Sequence, residues 1–251
     1  MKLIKSLLRQ VLGQKKYLQL VSKTFFFYYK NGLLKNNSSY FNHYYLKKFI
    51  KPGDTIIDIG GNLGYYTKIF SRLTGNNGHV YAIEPIPLYT QVLHNNMKGL
   101  SNVTIFPYAL GEKEGIRTMV NTAEDKYSHG RMHILNKIEN ADIKKNETYE
   151  VEMKEPVSLL TNIGKINYIK CDIEGYEIPV IPLMRSLIEK HHPILQIETN
   201  GDNKRKMLQL LWTLGYKSFY VEKNSLIPIT TPEQPVIGDI VFIFNPQPVF
   251  T

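Results

Sequence analysis

An apolar run of five residues in the first quarter of the chain ends in a glycine-rich turn. Residues 54–67 read Asp-Thr-Ile-Ile-Asp-Ile-Gly-Gly-Asn-Leu-Gly-Tyr-Tyr-Thr. The β-branched run at 55–59 is typical of a buried strand, and the glycines allow a tight turn and a close approach to a ligand. A helix that follows such a turn offers unpaired amides to an anionic group. The segment therefore predicts a strand, a ligand-binding turn and a helix that starts after Gly64.

The rest of the chain continues this pattern, with apolar β-rich runs that alternate with helical stretches. Such alternation is typical of crossover units and a parallel sheet. Two final β-rich runs have no helical pattern between them, only a proline-bearing loop, which indicates an antiparallel hairpin. We expect an α/β fold with a doubly wound, Rossmann-like, mostly parallel seven-stranded sheet that ends in this hairpin. The predicted strands are 55–59, 79–83, 103–108, 166–172, 193–198, 216–222 and 239–245, and helices begin after Gly64, near Pro87, at Ile178 and at Asp202.

The chain is expected to form one domain with an N-terminal extension. Its 251 residues, 43% of them hydrophobic, can bury one sizeable core. We place a helical extension at 1–50 and the domain at 51–251. Between 112 and 155 the pattern weakens into polar and charged residues, and a long connection in a compact α/β domain is usually functional or disordered. We interpret 112–155 as an insertion that serves as a substrate lid, with a mobile surface loop as the alternative.

The N-terminal extension combines helical spacing of leucine and valine with many basic residues. This pattern predicts an amphipathic helix, which either docks on its own domain or a second copy, or lies on an anionic membrane face. The segment has neither a clean apolar stretch of transmembrane length nor a signal-peptide cleavage pattern. We therefore expect a cytoplasmic protein, with peripheral contact of residues 1–30 with the inner membrane face as an open alternative.

The overall charge and the cysteine content narrow the partners and the compartment. A formal net charge of +9 favours acidic partners such as phosphorylated carriers, anionic lipids, acidic glycans or nucleic acid, without choosing among them. The single cysteine, Cys171, excludes an internal disulfide and a thiolate metal cluster, as suits a reducing compartment.

A second acidic residue gives the glycine turn a ligand class. Glu84 stands 20 residues after Gly64 at the end of the next predicted strand, where its carboxylate can accept hydrogen bonds from ribose hydroxyls. NAD is a competing ligand, but the turn lacks a full G-x-G-x-x-G. Asp58 would also crowd a pyrophosphate, whereas it would attract the ammonium or sulfonium of S-adenosylmethionine. S-adenosyl-L-methionine is the expected cofactor.

Four motifs in order give the chain a resemblance to a known family. The stretches 57–67, 82–85, 108–111 and 169–177 resemble the successive motifs of the FkbM family of methyltransferases, over roughly 51–245. The resemblance implies a class I methyltransferase fold, O-methylation of a hydroxyl on a polyketide, sugar or similar product, and a place for Asp172 beside the transferred methyl. At Gly61 the family more often has alanine. The candidate cofactor-binding residues are Asp58, Gly60, Gly61, Asn62, Gly64, Tyr66, Thr67, Glu84, Pro85, Ala109 and Leu110.

Three acids after the fourth parallel strand are the candidate catalytic residues: Asp172, Glu174 and Glu177. Acids this close repel one another, which raises at least one pKa unless a cation such as Lys170 neutralises them. Their alternative role is to cap the helix that begins near Ile178.

Two further groups of residues belong to the same predicted crevice. Together with Asp172, Glu198 and Asn200 would offer three oxygen ligands to Mg²⁺, a possibility that we do not favour, so no metal site is assigned. His43 and Tyr44, in the segment that leads into the domain, are candidates for the wall of the acceptor pocket.

The sequence thus predicts an S-adenosylmethionine-dependent O-methyltransferase acting on a sugar, a glycan or another secondary product, in free or lipid-linked form. A nucleic-acid methyltransferase is the first alternative, but the fourth strand does not end in an Asn-Pro-Pro-Tyr type motif, and Cys171 does not follow a proline. A nicotinamide-dependent oxidoreductase and a non-catalytic binding module are the others. The oligomeric state stays open.

Overall fold

The computed structural model describes residues 2–121, 132–134 and 147–246. The helices are α1 (Lys2–Leu12), α2 (Gln14–Lys30), α3 (Phe41–Tyr45), α4 (Tyr65–Thr74), α5 (Pro87–Met97), α6 (Pro156–Leu160), α7 (Glu177–Val180), α8 (Arg185–His191) and α9 (Gly201–Thr213). The strands are β1 (Thr55–Ile59), β2 (His79–Ile83), β3 (Val103–Phe106), β4 (Tyr108–Leu110), β5 (Gly115–Asn121), β6 (Met132–Ile134), β7 (Glu147–Lys154), β8 (Tyr168–Cys171), β9 (Ile194–Ile197), β10 (Tyr216–Glu222), β11 (Ser225–Ile229) and β12 (Ile240–Phe244).

The main sheet has the order β11-β10-β12-β9-β8-β1-β2-β3. Its five strands from β9 to β3 are parallel, whereas β12 runs antiparallel between β9 and β10. The predicted doubly wound, mostly parallel sheet with an antiparallel hairpin is therefore confirmed. The strand count was wrong by one, because the proline-bearing loop contains β11. Pro228 cannot donate to a sheet ladder, and β11 tolerates it as the outermost strand, paired only with β10.

A second sheet, with the order β4-β7-β5-β6, lies beyond the edge of the main one. The run that was predicted as one strand at 103–108 divides at Pro107 into β3 of the main sheet and β4 of the second. Pro107 has no N–H to donate, which favours the break. Within the predicted insertion at 112–155, β5 and β7 form an antiparallel ladder, and 122–131 and 135–146 lie outside the described residues.

The main sheet is buried on both faces, because side chains alternate along each strand. Ile57 of β1 points to the face that α6, α7, α8 and α9 cover, and its neighbour Ile56 points to the face that α3 and α4 cover. Both isoleucines are completely buried. Sheet and helices thus hold the carboxyl ends of β1, β2 and β8 in fixed positions along one edge.

The N-terminal extension packs on its own domain through α2. Tyr17 and Leu18 are buried against Tyr89 and Val92 of α5 and against the second sheet. By contrast, the side chains of Leu7 and Val11 on α1 are exposed. None of the described helices has both the length and the apolar character that a membrane span requires.

Candidate active site

A cavity of about 570 Å³ opens at the carboxyl ends of β1, β2 and β8. This edge of a doubly wound sheet is where such folds bind their ligands. Its floor holds the glycine turn after β1, Glu84 after β2 and Asp172 after β8. One of its walls comes from the N-terminal segment, through Val21, Thr24, Phe25, Tyr28, Leu34, Tyr40 and His43.

Backbone hydrogen bonds fix the glycine turn, which follows β1, to the end of β2. The amides of Gly60 and Gly61 both donate to the carbonyl of Ile83, at 2.9 and 3.0 Å. Gly60 has a φ of 82°, and a Cβ there would overlap the carbonyl oxygen of Asp172. Gly64, the N-cap of α4, has a φ of 87°. Left-handed backbone favours glycine at both positions, and at Gly60 the backbone of Asp172 also leaves no room for a side chain.

Glu84 anchors the turn and keeps spare hydrogen-bonding capacity. Its Oε2 accepts from the amide of Asn62 at 2.8 Å and its Oε1 from the amide of Ile86 at 2.9 Å. Each carboxylate oxygen has two lone pairs, so two remain for ribose hydroxyls. Burial raises the pKa of Glu84 to about 7 despite these two bonds. The carboxylate therefore fits the ribose of an adenosine-bearing cofactor.

Two buried acceptor atoms near the turn have no partner among the described residues. They are Oδ1 of Asp58 and Oδ1 of Asn62. The other oxygen of Asp58 accepts from the Thr67 hydroxyl at 2.5 Å. Burial raises the pKa of Asp58 above its ordinary value. Unpaired buried acceptors are costly, and of the two residues only Asn62 lines the cavity, where a donor such as the ammonium of S-adenosylmethionine would suit it.

The predicted cofactor residues divide into those that line the cavity and those that lie behind its wall. The cavity wall includes Gly60, Gly61, Asn62, Tyr66, Glu84 and Pro85. Behind it lie Asp58, Gly64, Thr67, Ala109 and Leu110. Asp58 and Thr67 are buried beneath the turn, and Ala109 and Leu110 belong to the hydrophobic core. The residues of the cavity wall can therefore contact a ligand directly. Those behind the wall shape the turn and the core.

Asp172 forms a buried ion pair with Lys170. The ammonium of Lys170, which is 1% exposed, lies 2.8 Å from Oδ2 of Asp172 and 4.5 Å from the ring centre of Tyr66. Burial alone would raise the pKa of Asp172, but Lys170 and further hydrogen bonding hold it below its ordinary value. Lys170, one of the two possibilities left open for relieving the repulsion, thus pairs with Asp172. Asp172 faces the cavity as an ionised carboxylate.

Glu174 and Glu198 complete an acidic cluster with Asp172. One oxygen of each carboxylate lies within 4.8 Å of the others. Burial and the charge of Asp172 raise the pKa of Glu198 to about 9, so it is protonated at neutral pH and hydrogen-bonds to Asp172. This shared proton and Lys170 already offset the repulsion. The spacing of the three carboxylates would suit a cation. Asn200, the third oxygen donor of the predicted magnesium set, is exposed at the N-cap of α9.

Glu177 holds the backbone of the turn that carries the other acids. Its carboxylate, 1% exposed, accepts from the amides of Ile173 at 2.8 Å and Gly175 at 3.2 Å. It is absent from the cavity wall as described. This geometry gives Glu177 a role in holding the turn rather than in catalysis, and the predicted capping of the following helix is not seen, since α7 has no side-chain cap hydrogen bond. By contrast, Asp172 and Glu174 both line the cavity.

His43 lines the cavity, as expected for the acceptor pocket, whereas Tyr44 does not. The His43 ring stacks on Tyr66 with 3.9 Å between centroids. Burial, with Lys170 nearby, lowers the pKa of His43 to about 3, so the ring is neutral. Its Nδ1 has no partner among the described residues. The Tyr44 hydroxyl donates to the carbonyl of Tyr29 instead.

Sequence reasoning missed the contribution of α2 to the site. Val21, Thr24, Phe25 and Tyr28 follow helical spacing and line one side of the cavity. The aromatic run at 25–29 carried the signal, since several aromatic side chains in succession exceed what a surface helix needs. Ile86, Tyr89 and Met119 were missed as well, because each lies on an element whose place beside the turn depends on tertiary packing.

Comparison with known proteins gives the site a family. Residues 58–218, more than half of the chain, match the methyltransferase FkbM domain. The chain is also similar to protein-L-isoaspartate O-methyltransferases. That of Methanococcoides burtonii is 41% identical over 58 residues, which cover 22% of this chain and 29% of that protein. That of Fervidobacterium nodosum is 37% identical over 70 residues, which cover 27% and 34%. The chain thus spans about a third of the curated relatives that it matches.

Among solved structures, the chain is similar to methyltransferase FkbM from Methylobacillus flagellatus. The TM-score is 0.49 with 16% identity, over 80% of this chain and 50% of that one. The family match carries the identification, since its range contains the glycine turn, Glu84 and the Asp172 motif. The chain therefore belongs to the FkbM family of S-adenosylmethionine-dependent methyltransferases.

Proposed function

We propose that the chain transfers a methyl group to a hydroxyl of a saccharide or a related secondary product. The observation that carries this proposal is the ionised Asp172, which shares one cavity with the glycine turn and Glu84. S-adenosylmethionine supplies an electrophilic methyl group on a sulfonium. The protein binds and orients both reactants, and it accepts a hydrogen bond from the acceptor hydroxyl.

The cofactor is held by the glycine turn and by Glu84 in this proposal. The Glu84 carboxylate accepts hydrogen bonds from the ribose hydroxyls. The cofactor can approach the backbone of the turn closely because Gly60 has no side chain. Asp58 lies beneath the turn and contributes negative charge that favours the cationic cofactor over an uncharged one. The roles of Gly61, Asn62, Tyr66 and Pro85 are to shape the pocket around it.

Asp172 orients the acceptor and receives its proton. A carboxylate with a lowered pKa is a weak base, but a hydroxyl oxygen that is gaining a methyl group becomes strongly acidic. The new carbon–oxygen bond forms as the carbon–sulfur bond breaks, and the proton passes to Asp172. Lys170 keeps Asp172 ionised before this step. The neutral His43 ring, whose Nδ1 has no partner among the described residues, offers a further hydrogen-bonding group on the same wall.

The lining of the cavity favours a neutral acceptor. Glu84, Asp172 and Glu174 line it, and Lys170 is paired with Asp172. A carboxylate acceptor, suggested by the name of the isoaspartate relatives, would be repelled by these acids, as would the phosphates of a nucleic acid. Aromatic rings on the N-terminal wall offer flat apolar faces to the C–H face of a sugar ring.

The N-terminal extension and the methyltransferase domain form the active site together in this proposal. The methyltransferase domain is assigned to 51–251, and the extension at 1–50 supplies one wall of its site through α2. Residues 112–155 are proposed as a lid over the acceptor. The position of Met119, in β5 and on the cavity wall, supports this role.

The test is methyl transfer from radiolabelled S-adenosylmethionine to a panel of acceptors: neutral glycans, uronic acids, an isoaspartyl peptide and RNA. We expect transfer to a neutral hydroxyl that survives a chelator. Asp172→Asn should lower it by about 10²-fold or more, the range of general-base catalysis, while S-adenosylhomocysteine still binds. Glu189→Gln, at an exposed ion pair with Arg185, is the control and should keep full activity. Transfer only to carboxylate or RNA, or full activity of Asp172→Asn, would contradict the proposal.

A further inference from the structure

The net positive charge of the chain comes from its N-terminal extension. Residues 1–50 contain ten of the 31 Lys and Arg residues and none of the 22 Asp and Glu residues. The remaining 201 positions hold 21 basic and 22 acidic residues, so the methyltransferase domain is nearly neutral. A charge separated in this way creates a local field that attracts an anionic surface.

The exposed side of α2 alternates basic and apolar residues. Counting along the helix in steps of four and three residues gives Lys16, Leu20, Lys23, Phe27 and Lys30, which share one face. All five are exposed, and Leu20 and Phe27 keep 45% and 60% of their surface in contact with solvent. We call this row of residues the α2 stripe. Such side chains indicate an interaction site when they join further exposed apolar surface, rather than standing singly.

The neighbouring helix α1 adds apolar surface without covering the stripe. Leu7 and Val11, one turn apart, are 61% and 73% exposed, and Leu33 just after α2 is 65% exposed. Gly13, with a φ of 74°, separates α1 from α2. The extension therefore presents apolar side chains on two successive helices, amid basic residues and no acid.

We propose that α1 and α2 form a docking surface for an anionic lipid bilayer. Interfacial helices combine an apolar face that enters the headgroup region with lysines that contact anionic lipids. A second copy of the chain fits this surface poorly. A two-fold interface would place the same cationic face against itself, with no acid in residues 1–50 of either copy to compensate.

The docking surface adjoins the mouth of the active-site cavity. Thr24 and Tyr28 are exposed, line the cavity and lie about a quarter turn from Leu20 and Phe27 around α2. A bilayer held by the α2 stripe would place the cavity mouth near the lipid headgroups. If the proposed hydroxyl methylation is correct, on which this step rests, the acceptor is a saccharide or hydroxyl carried by a lipid.

The test is cosedimentation of the full chain with vesicles. Phosphatidylcholine vesicles are compared with vesicles that contain phosphatidylglycerol, at low and high salt. We expect binding to the anionic vesicles only, reduced at high salt. Lys16→Glu with Lys23→Glu should weaken it by at least about tenfold, and Leu7→Ser with Val11→Ser should weaken it as well. The control, Lys190→Glu with Lys206→Glu, reverses two exposed charges outside the extension and should bind normally.

Equal binding to both vesicle types, no binding, or equal loss in the control pair would overturn the proposal. So would a concentration-dependent dimer that the Leu7→Ser, Val11→Ser variant abolishes, since that result would assign the face to a second copy. Titration with S-adenosylhomocysteine verifies that each variant is folded, because none of these residues lines the cavity. Vesicle binding needs no acceptor, so its failure is distinct from a failure of the proposed methyl transfer.

Discussion

At Gly60 and Gly61, adjacent glycines of one turn have different structural requirements. Gly60 has left-handed backbone and no room for a Cβ beside the carbonyl of Asp172. Gly61 lacks a positive φ, and a Cβ there would lie 3.3 Å from Cδ2 of Leu93 and 3.4 Å from Cβ of Ala82. A Cβ would therefore fit once the end of the Leu93 side chain moves by a few tenths of an ångström, as the family resemblance, in which alanine is frequent at this second position, suggests. Of these two adjacent glycines, only Gly60 is a strict requirement of the turn.

We therefore predict opposite outcomes for two alanine substitutions. Gly60→Ala should lower stability by about 2 kcal/mol or more, from backbone strain and overlap, and abolish cofactor binding. Gly61→Ala should leave the melting temperature and the affinity for S-adenosylhomocysteine close to those of the unmodified chain. Thermal unfolding and calorimetry measure both. Equal effects of the two substitutions would show that the turn is not held as described.

The pKa of Glu84 gives the cofactor site a pH dependence. Burial raises it to about 7, so the carboxylate is ionised above this pH and protonated below it. The ionised form accepts more hydrogen bonds from ribose hydroxyls. Affinity for S-adenosylhomocysteine should therefore fall by up to about tenfold from pH 8 to pH 6. Glu84→Gln should bind weakly with a flat profile over this range, and the same slope in that variant would exclude Glu84 as its source.

Among the elements, α2 links the extension to the cofactor turn. Asn96 of α5 is 6% exposed, and its Nδ2 donates to the Ser22 hydroxyl of α2 at 2.9 Å and to the carbonyl of Leu63 in the turn at 2.8 Å. One side chain thus positions both the N-terminal wall of the cavity and its floor. The helix is part of the site, although it precedes the matched family domain.

Removing this side chain should affect stability and cofactor binding together. Asn96→Ala leaves the Leu63 carbonyl without its donor and opens a small cavity, so we expect a loss of about 2 kcal/mol in the free energy of unfolding and weaker binding of S-adenosylhomocysteine. Asn95→Ala, at an exposed position of the same helix, is the matched control and should change neither. Denaturant unfolding and calorimetry provide the readout. A purely local role of Asn96 would instead leave cofactor affinity unchanged.

For the whole molecule, the features that depend on neighbouring residues could be predicted from the sequence. The packing of elements that are distant in the sequence could not. The strand, turn and acid around Gly60, Glu84 and Asp172 depend on neighbouring residues, so their pattern predicts their place at the strand ends. The strand break at Pro107 was also a local signal, one that the strand prediction passed over. By contrast, the helical spacing in α2 predicts that one face of the helix is buried, but it does not predict which part of the chain that face packs against. The wall that Phe25 contributes therefore appears only in the folded chain.

The charge distribution was equally visible in the sequence, but its meaning depended on the fold. The ten basic residues of the extension indicate an anionic partner, and only the structure places the α2 stripe beside the cavity mouth. The second sheet was missed for another reason. Its strands β5 and β7 pair with one another across residues that lack a clear pattern, and pairing at long range leaves little trace in local periodicity.

Calorimetric titration of the purified chain with S-adenosylhomocysteine shows directly whether the cavity binds the expected cofactor. NADH is the competing ligand, and Glu84→Ala is the companion variant. We expect micromolar binding of S-adenosylhomocysteine, weaker binding in Glu84→Ala, and no binding of NADH. Preference for NADH, or unchanged S-adenosylhomocysteine affinity in Glu84→Ala, would contradict this expectation.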